Sequence, residues 1–451
     1  MAMKSTKKFL SLAIACVVLL ALSGVLYWSN HHKASSAASM ASAGPVILDV
    51  KPSSVTALTI QPKNSAAVTV AKDAKGIWRI TAPKKLFADQ DEVHNLLSDL
   101  SPLNAERVVE SNPSSLKTFG LDHPALEVDV TQQDHSQQRL LIGDSTPTGD
   151  SAYAMVAGDP RIFTTFRYNE TNLNQNLAGL RDKRLITISA DKVTRIELIH
   201  GGQDIVLAHH NYHWKIVKPG PYRADMVAAD GLSDALTAAK MSTAQPPSPQ
   251  RQTAFAQGTP VATARVTGPK GTQTLTVRED GGNYYAQSSY VAGSYQVDDA
   301  LGEALGKTLF DLRNKQVFDF SYDDPNEVDF TILSGKKDGA PKTWILNRTR
   351  QVWWLDGKKM DANSVESLVS GLRDLAATKF ASSGFTQPVI KVKIVSAGGK
   401  RVENVQIAKG RGRNYLAKRT DDSSLYVVDG GSIEGIEKAA EQIQPSSTAP
   451  K

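Results

Sequence analysis

Asp89, Asp225 and Asp361 stand 136 residues apart (225 − 89 and 361 − 225), and each opens the same apolar stripe. Four, seven, eleven and fourteen residues after them come Val93, Leu96, Leu100 and Leu103 in the first copy. The second copy has Ala229, Leu232, Leu236 and Ala239; the third has Val365, Leu368, Leu372 and Leu375. That spacing draws one buried face along a helix of about four turns, so Leu100, Leu236 and Leu372 are predicted core residues. Each Asp suits an N-cap, and Glu92 is placed to complete a capping box in the first copy. A stripe repeated three times without a gap means one domain written three times.

The flanks repeat with the stripe. A Val/Ile-rich pair of strands and a tryptophan precede each helix: Trp78, Trp214 and Trp353. Alternation along a strand puts them on the same face as Ile80, Ile216 and Leu355, which predicts core packing. Trp354 falls on the opposite face and is the candidate for an exposed aromatic contact. Downstream, the run from Phe119 to Pro124 matches that from Phe255 to Pro260 and shortens to Phe385–Pro388 in the third copy. Alternating strands and a hairpin bearing Tyr153, Tyr285 or Tyr415 follow. Copies one and two end on L-R-x-K, at Leu180–Lys183 and Leu312–Lys315; copy three does not. The expected fold is α+β: three tandem modules of antiparallel sheet plus helix, at residues 46–186, 187–320 and 321–444, then a disordered tail at 445–451. Arg181, Lys183, Arg313 and Lys315 precede a following module, which makes them candidate joint residues; a guanidinium can hold two oxygens at once.

The N-terminus sets the expected compartment. Lys4, Lys7 and Lys8 precede Phe9–Trp28, twenty residues without a charge. A helix of that length covers the roughly 30 Å hydrocarbon core. Lysines ahead of it predict a single-pass inner-membrane anchor with residues 1–28 as cytoplasmic tip and span, and the bulk of the chain in the periplasm. Residues 29–45 are Ser/Ala-rich and read as a linker. Cys16, the single cysteine, lies within the span, so the exported part carries no thiol chemistry. Of 52 basic residues, three lysines belong to the tip; the remaining 49 face 46 acidic ones, too even a balance for nucleic acid.

The pattern W-x-I-x-x-P, A-D-x-x-x-V, F-G-L-x-x-P and L-R-x-K resembles a bacterial domain-of-unknown-function family (domain of unknown function 4340 type). It is carried by Trp78, Ile80, Pro83, Ala88, Asp89, Val93, Phe119, Gly120, Leu121 and Pro124. Trp214, Ile216, Pro219, Ala224, Asp225, Leu312, Arg313 and Lys315 carry it again. It is similar to proteins encoded beside gliding-motility-type ABC transporter components. The resemblance implies an envelope location and a transporter partner, and carries no catalytic residue.

Other motifs point to chemistry less strongly than to turns. His209, His210 and His213, near His200, are the weak candidates for a metal, but the aligned runs Lys72–Ile77 and Arg348–Val352 make this a variable hairpin tip. Lys409–Arg419 is basic with an aromatic inside, yet its counterparts in the other copies change charge freely, which predicts a solvated loop. Asp144, Asp150 and Asp159 adjoin turn residues and fit no calcium loop. No catalytic residue or cofactor is assigned. The expected function is a non-enzymatic scaffold or accessory protein of an envelope complex; the alternative is an envelope enzyme acting on a glycan or peptide in a cleft between modules.

Overall fold

A computed structural model describes residues 44–243, 247–321, 325–333 and 340–447. The expected span Phe9–Trp28, nearly all of the linker and the last residues lie outside that set. Among the described residues no helix is long and apolar enough to cross a membrane. The chain divides into two compact units, Met1–Asp182 with one large sheet and Lys183–Lys451 with two.

Each large sheet is wholly antiparallel and built from two meanders joined at their first strands. In the first, Val55–Pro62 and Leu126–Gln132 pair at the centre. From Val55–Pro62 the sheet runs outward through Val68–Lys72, Trp78–Ala82 and Leu86–Phe87; from Leu126–Gln132 it runs through Gln137–Ser145, Ser151–Val156 and Ile162–Phe166. The second sheet has the same eight strands around Arg195–His200 and Thr259–Gly268, and the third around Glu327–Ile332 and Pro388–Ser396. Sheets one and three carry a ninth edge strand, Arg107–Glu110 and Lys379–Ala381. The fold is therefore α+β with a repeated sheet module.

Period-two alternation decides the faces. Leu140, Ile142, Ala152, Ala154 and Phe163 enter the main core of the first module. Their neighbours Leu141, Tyr153, Met155 and Ile162 form a small second cluster with Phe119 and Leu121. Trp78, Trp214 and Trp353 are all buried in the main cores. The striped helices Gln90–Asp99, Met226–Thr237 and Ala362–Arg373 cover those cores, and all twelve stripe positions are buried.

Two details differ from expectation. The helices are ten and twelve residues long, nearer three turns than four. Leu103, Ala239 and Leu375 lie beyond their ends, because the backbone there is recruited elsewhere: the Ala239 and Leu375 carbonyls accept from Leu185 and Val317 N–H at 2.9 Å. Only half of the capping box forms. Asp89 Oδ1 accepts from the N–H of Asp91 and Glu92, but its own N–H donates to Leu180 O at 2.9 Å. Nothing is left for Glu92 to reach back to. Asp225 N–H to Leu312 O and Asp361 N–H to Gln444 O, both 2.9 Å, repeat that bond.

The closing segment is not one continuous helix in the first two modules. In module one it breaks into Arg167–Leu173 and Leu177–Leu180, with Asn176 recapping the second piece; in module two it breaks into Asp299–Leu305 and Leu309–Leu312. Module three has a continuous helix, Gly430–Glu441.

Leu236→Ala or Leu372→Ala should each lower stability by roughly 2–5 kcal/mol in urea unfolding. Val227→Ala, on the same helix as Leu236 but 83% exposed, should stay within about 0.5 kcal/mol of the parent.

Candidate functional site: the joint between the second and third modules

The second unit contains a complete joint, and its covalent part has no slack. Arg313 bridges back to Ala224, and Asn314 N–H donates to Arg223 O at 2.9 Å, so both belong to the second module. The next residue, Lys315, already accepts through its carbonyl from Ala377 N–H at 2.8 Å, and Gln316 bridges Ala376. Allegiance switches between adjacent residues.

Side chains lock that switch. The buried Arg313 guanidinium lies between the rings of Tyr222, 3.8 Å from its centroid, and Phe380, 3.4 Å away. One ring belongs to each module. A planar cation fits this slot where an ammonium would not. Arg313 Nη2 donates to Ser424 Oγ at 2.6 Å, while Nε has no hydrogen-bond partner among the described residues. Burial depresses the affinity of this guanidinium for its proton, against the pull of Tyr222, Asp422 and Tyr426. It stays charged, because arginine starts far above neutrality.

Arg223 fills the other side of the joint. Its Nη1 donates to Gln316 O at 2.8 Å and to Tyr426 Oη at 2.9 Å, and its Nη2 pairs with Asp319. Tyr426, buried in the third module, directs its own proton to Asp422 Oδ2 in a hydrogen bond. Burial raises the Tyr426 phenol pKa, and Asp422 adds to the rise despite Arg223. Asp422 Oδ1 accepts from Ser424 N–H and Oγ–H, both at 3.0 Å, and Ser423 Oγ donates to Pro221 O at 2.7 Å. A single polar loop, Asp421–Ser424, thus reads the Pro221–Arg223 turn of the preceding module.

Beneath it, Arg419 and Glu403 form a buried ion pair at 2.7 Å. Arg419 Nη1 also donates to Val317 O, and Nε and Nη2 grip Asp421 at 2.8 Å each. Glu403 Oε1 accepts from Asp319 N–H at 2.9 Å. Burial opposes the charge on Arg419, yet Asp421 and Glu403 outweigh it and raise its pKa; the Arg419 hydrogen bond in turn holds Asp421 below the usual carboxylate range. The same two register positions in the second sheet are Gln273 and Ser288. Gln273 Oε1 accepts from Thr187 N–H at 2.8 Å, and Ser288 Oγ donates to Leu185 O. Thr187 and Leu185 correspond to Asp319 and Val317. A neutral pair in one sheet and an ion pair in the next both fasten the incoming connector to the end of the sheet.

The remaining candidates are placed as follows. Arg181 is fully buried and bridges Ala88 as Arg313 bridges Ala224. Lys183 accepts from Met241 N–H at 2.9 Å through its carbonyl, the counterpart of Lys315. The Lys315 ammonium donates to Asp311 O at 3.3 Å and lies over Phe310, so it serves its own helix end. In the third copy Pro445 stands where Arg181 and Arg313 stand, bridging Met360.

Trp354 is 38% exposed on the face opposite Trp353. His209 stacks on Trp214 at 4.5 Å, and its Nδ1 lies 3.3 Å from Val193 O; adjacent His210 faces the other way, paired across the hairpin with His213. The three do not converge, and no metal-holding cluster of His, Cys, Asp and Glu occurs among the described residues. Asp159 accepts from Arg161 N–H at 2.9 Å, as turn chemistry requires. The basic run is loop only at Gly410–Asn414. Arg419 is not solvated, because its strand turns it under the joint, a placement that sequence reasoning missed.

Arg313→Ala should leave the circular dichroism spectrum of the full chain unchanged and broaden its distribution of shapes in small-angle scattering. Arg419→Ala strands Glu403 in the interior and should cost roughly 3–5 kcal/mol in urea unfolding. The double variant Glu403→Gln/Arg419→Ser, which copies the second sheet, should recover at least half of that loss. Asp421 has a depressed folded pKa, so its stabilisation is full above the ordinary carboxylate pKa near 3.9 and disappears as pH falls through the depressed value. Acid titration followed by scattering should therefore loosen the parent below about pH 4 and spare Asp421→Asn of that change.

Comparison with curated proteins gives no match, and comparison with solved structures gives none either. A family model matches twice, over residues 78–211 and 214–393. The two matches start on Trp78 and Trp214, the repeated tryptophans at the start of the third strand of each module's first meander, so the family's unit runs from one Trp strand into the sheet of the next module. With most of its length matched in tandem, the chain belongs to the DUF4340 family, a domain of unknown function.

Proposed function

We propose that this chain is a membrane-anchored periplasmic scaffold, a non-enzymatic accessory protein of an envelope complex with an ABC transporter as its partner. The inner membrane is engaged through residues 9–28, and the modules present surfaces outside it. One observation carries the reading. The densest set of charged groups described above, the buried Arg313, Glu403, Arg419 and Asp422 with the half-buried Arg223 and Asp319, serves to join two modules. These groups hold backbone carbonyls, N–H groups and each other. Such a concentration of charge on fixing how modules meet suits a protein whose product is a placed surface.

The test is affinity capture of the full chain from gently solubilised membranes after cross-linking in cells, with mass spectrometry of the captured proteins. The expected result is recovery of transporter subunits with the parent, reduced for Arg313→Ala although that variant remains folded and anchored. Recovery of no membrane complex, together with release of glycan or peptide fragments from purified envelope by the chain alone, would replace the scaffold by an envelope enzyme. A reporter fused after Lys451 should be active only in its periplasmic form.

A further inference from the structure

The first module replaces a helix cap by a pair of exposed aromatic rings. Phe163, Tyr295 and Tyr426 pair with Ala154, Ala286 and Ala417 at the same place in the three sheets. Three residues on, Asp298 and Asp429 cap the closing helices of the second and third modules with their carboxylates. The first module has Phe166 there, and no side chain caps its helix Arg167–Leu173. Two residues further, Tyr168 stands for Ala300 and Gly431. Phe166 is 45% and Tyr168 60% exposed, and their rings stack with centroids 5.5 Å apart and planes 14° from parallel. Losing a cap and leaving two rings in water both oppose stability, and the other modules close without either.

The rings line a cavity of about 430 Å³ together with Asp99, Asn104, Glu106 and Asn169. Asp99 also lines a second cavity of about 350 Å³, which continues with Glu92, Asn95, Asn172 and Gln175. The two follow the seam between the striped helix Gln90–Asp99 and the closing segment. Asn169 is 8% exposed; its Nδ2 donates to Thr165 Oγ1 at 2.8 Å, and its Oδ1 has no hydrogen-bond partner among the described residues. The second module buries Leu301 at that position, and the other striped helices have Ala235 and Gly371 where this one has Asp99. The corresponding seam of the third module carries Lys438 and no aromatic ring.

The chemistry of this groove selects its ligand. Amides and carboxylates each present two hydrogen-bonding atoms side by side, which match neighbouring hydroxyls on a sugar ring. The face of a phenol ring is about the size of the C–H face of a pyranose and removes it from water. Glu92, Asp99 and Glu106 repel phosphate, sulfate and uronate, and no lysine or arginine among the described residues lines either cavity. A cation attracted to aromatic faces is held best where several converge, whereas two nearly parallel rings in contact offer one flat face. We propose that this groove binds a neutral oligosaccharide, with Tyr168 stacking on one sugar ring and Asn169 and Asp99 accepting from its hydroxyls. The site lies within the first module and is independent of the proposed transporter partner.

The test is titration of the full chain, in a detergent without a sugar headgroup, with cellotetraose and with the tetramer of β-1,4-linked N-acetylglucosamine, followed by saturation-transfer NMR. At least one tetramer should bind saturably, with an affinity that salt does not change. Tyr168→Ala should weaken it about tenfold, Asn169→Leu should do the same, and Tyr168→Phe should bind like the parent. Thermal melts check that each variant is folded; Tyr168 is exposed, so its replacement leaves the core intact. Failure of both tetramers to bind, or parent-like binding by Tyr168→Ala, would overturn the proposal. So would tighter binding of tetragalacturonate, or of N-acetyl-lysine methylamide as a cationic probe.

Discussion

Everything in this architecture depends on one backbone hydrogen bond, from the N–H of the cap aspartate to the end of the closing segment. A two-meander sheet has an apolar face that must be covered, and one helix of three turns is too narrow to cover it. The bond at Asp89, Asp225 or Asp361 brings the closing segment alongside the striped helix, so that the two together roof the core. It also places the chain's exit beside the strand that follows the Trp strand. There the next residue can bond backward and the one after it forward.

The charged joint follows from that exit point. Once the connector is laid against the end of a sheet, its carbonyl and N–H groups are removed from water and need partners. The second sheet supplies them with Gln273 and Ser288, the third with Glu403 and Arg419. A buried ion pair is no better in net terms than a neutral pair that makes the same bonds, since desolvation consumes the attraction. What the ionic version adds is reach: Arg419 extends past the connector to Asp421, and Asp421–Ser424 in turn meets the preceding module.

Much of the fold was legible because it was written repeatedly. The stripe, the caps, the tryptophans and the alternating strands each recur, and every recurrence tests the last. The joint was legible only where it repeated as well. Arg181 and Arg313 share a motif and could be singled out by its absence from the last copy, where Pro445 stands instead. Arg419 could not be found this way. Its counterpart in the second copy is Ser288, and its own segment reads as a basic hairpin. Tyr222 and Phe380 come from stretches nearly 160 residues apart whose meeting is set by module packing, which no local periodicity encodes. Helix length was misjudged for a related reason: Leu103, Ala239 and Leu375 continue the periodic pattern after the backbone has left the helix to receive the connector.

The connector's abrupt change of allegiance has a mechanical meaning. Asn314 is bonded to the second module and Lys315 to the third, with no residue between them to extend. A tensile load carried along the chain through this point cannot be absorbed by uncoiling a spacer. It passes directly into the Asn314–Arg223 and Ala377–Lys315 hydrogen bonds, and from them into the two sheets. A protein built this way behaves under pull as a stiff coupling, which transmits displacement from one module to the next before either begins to yield.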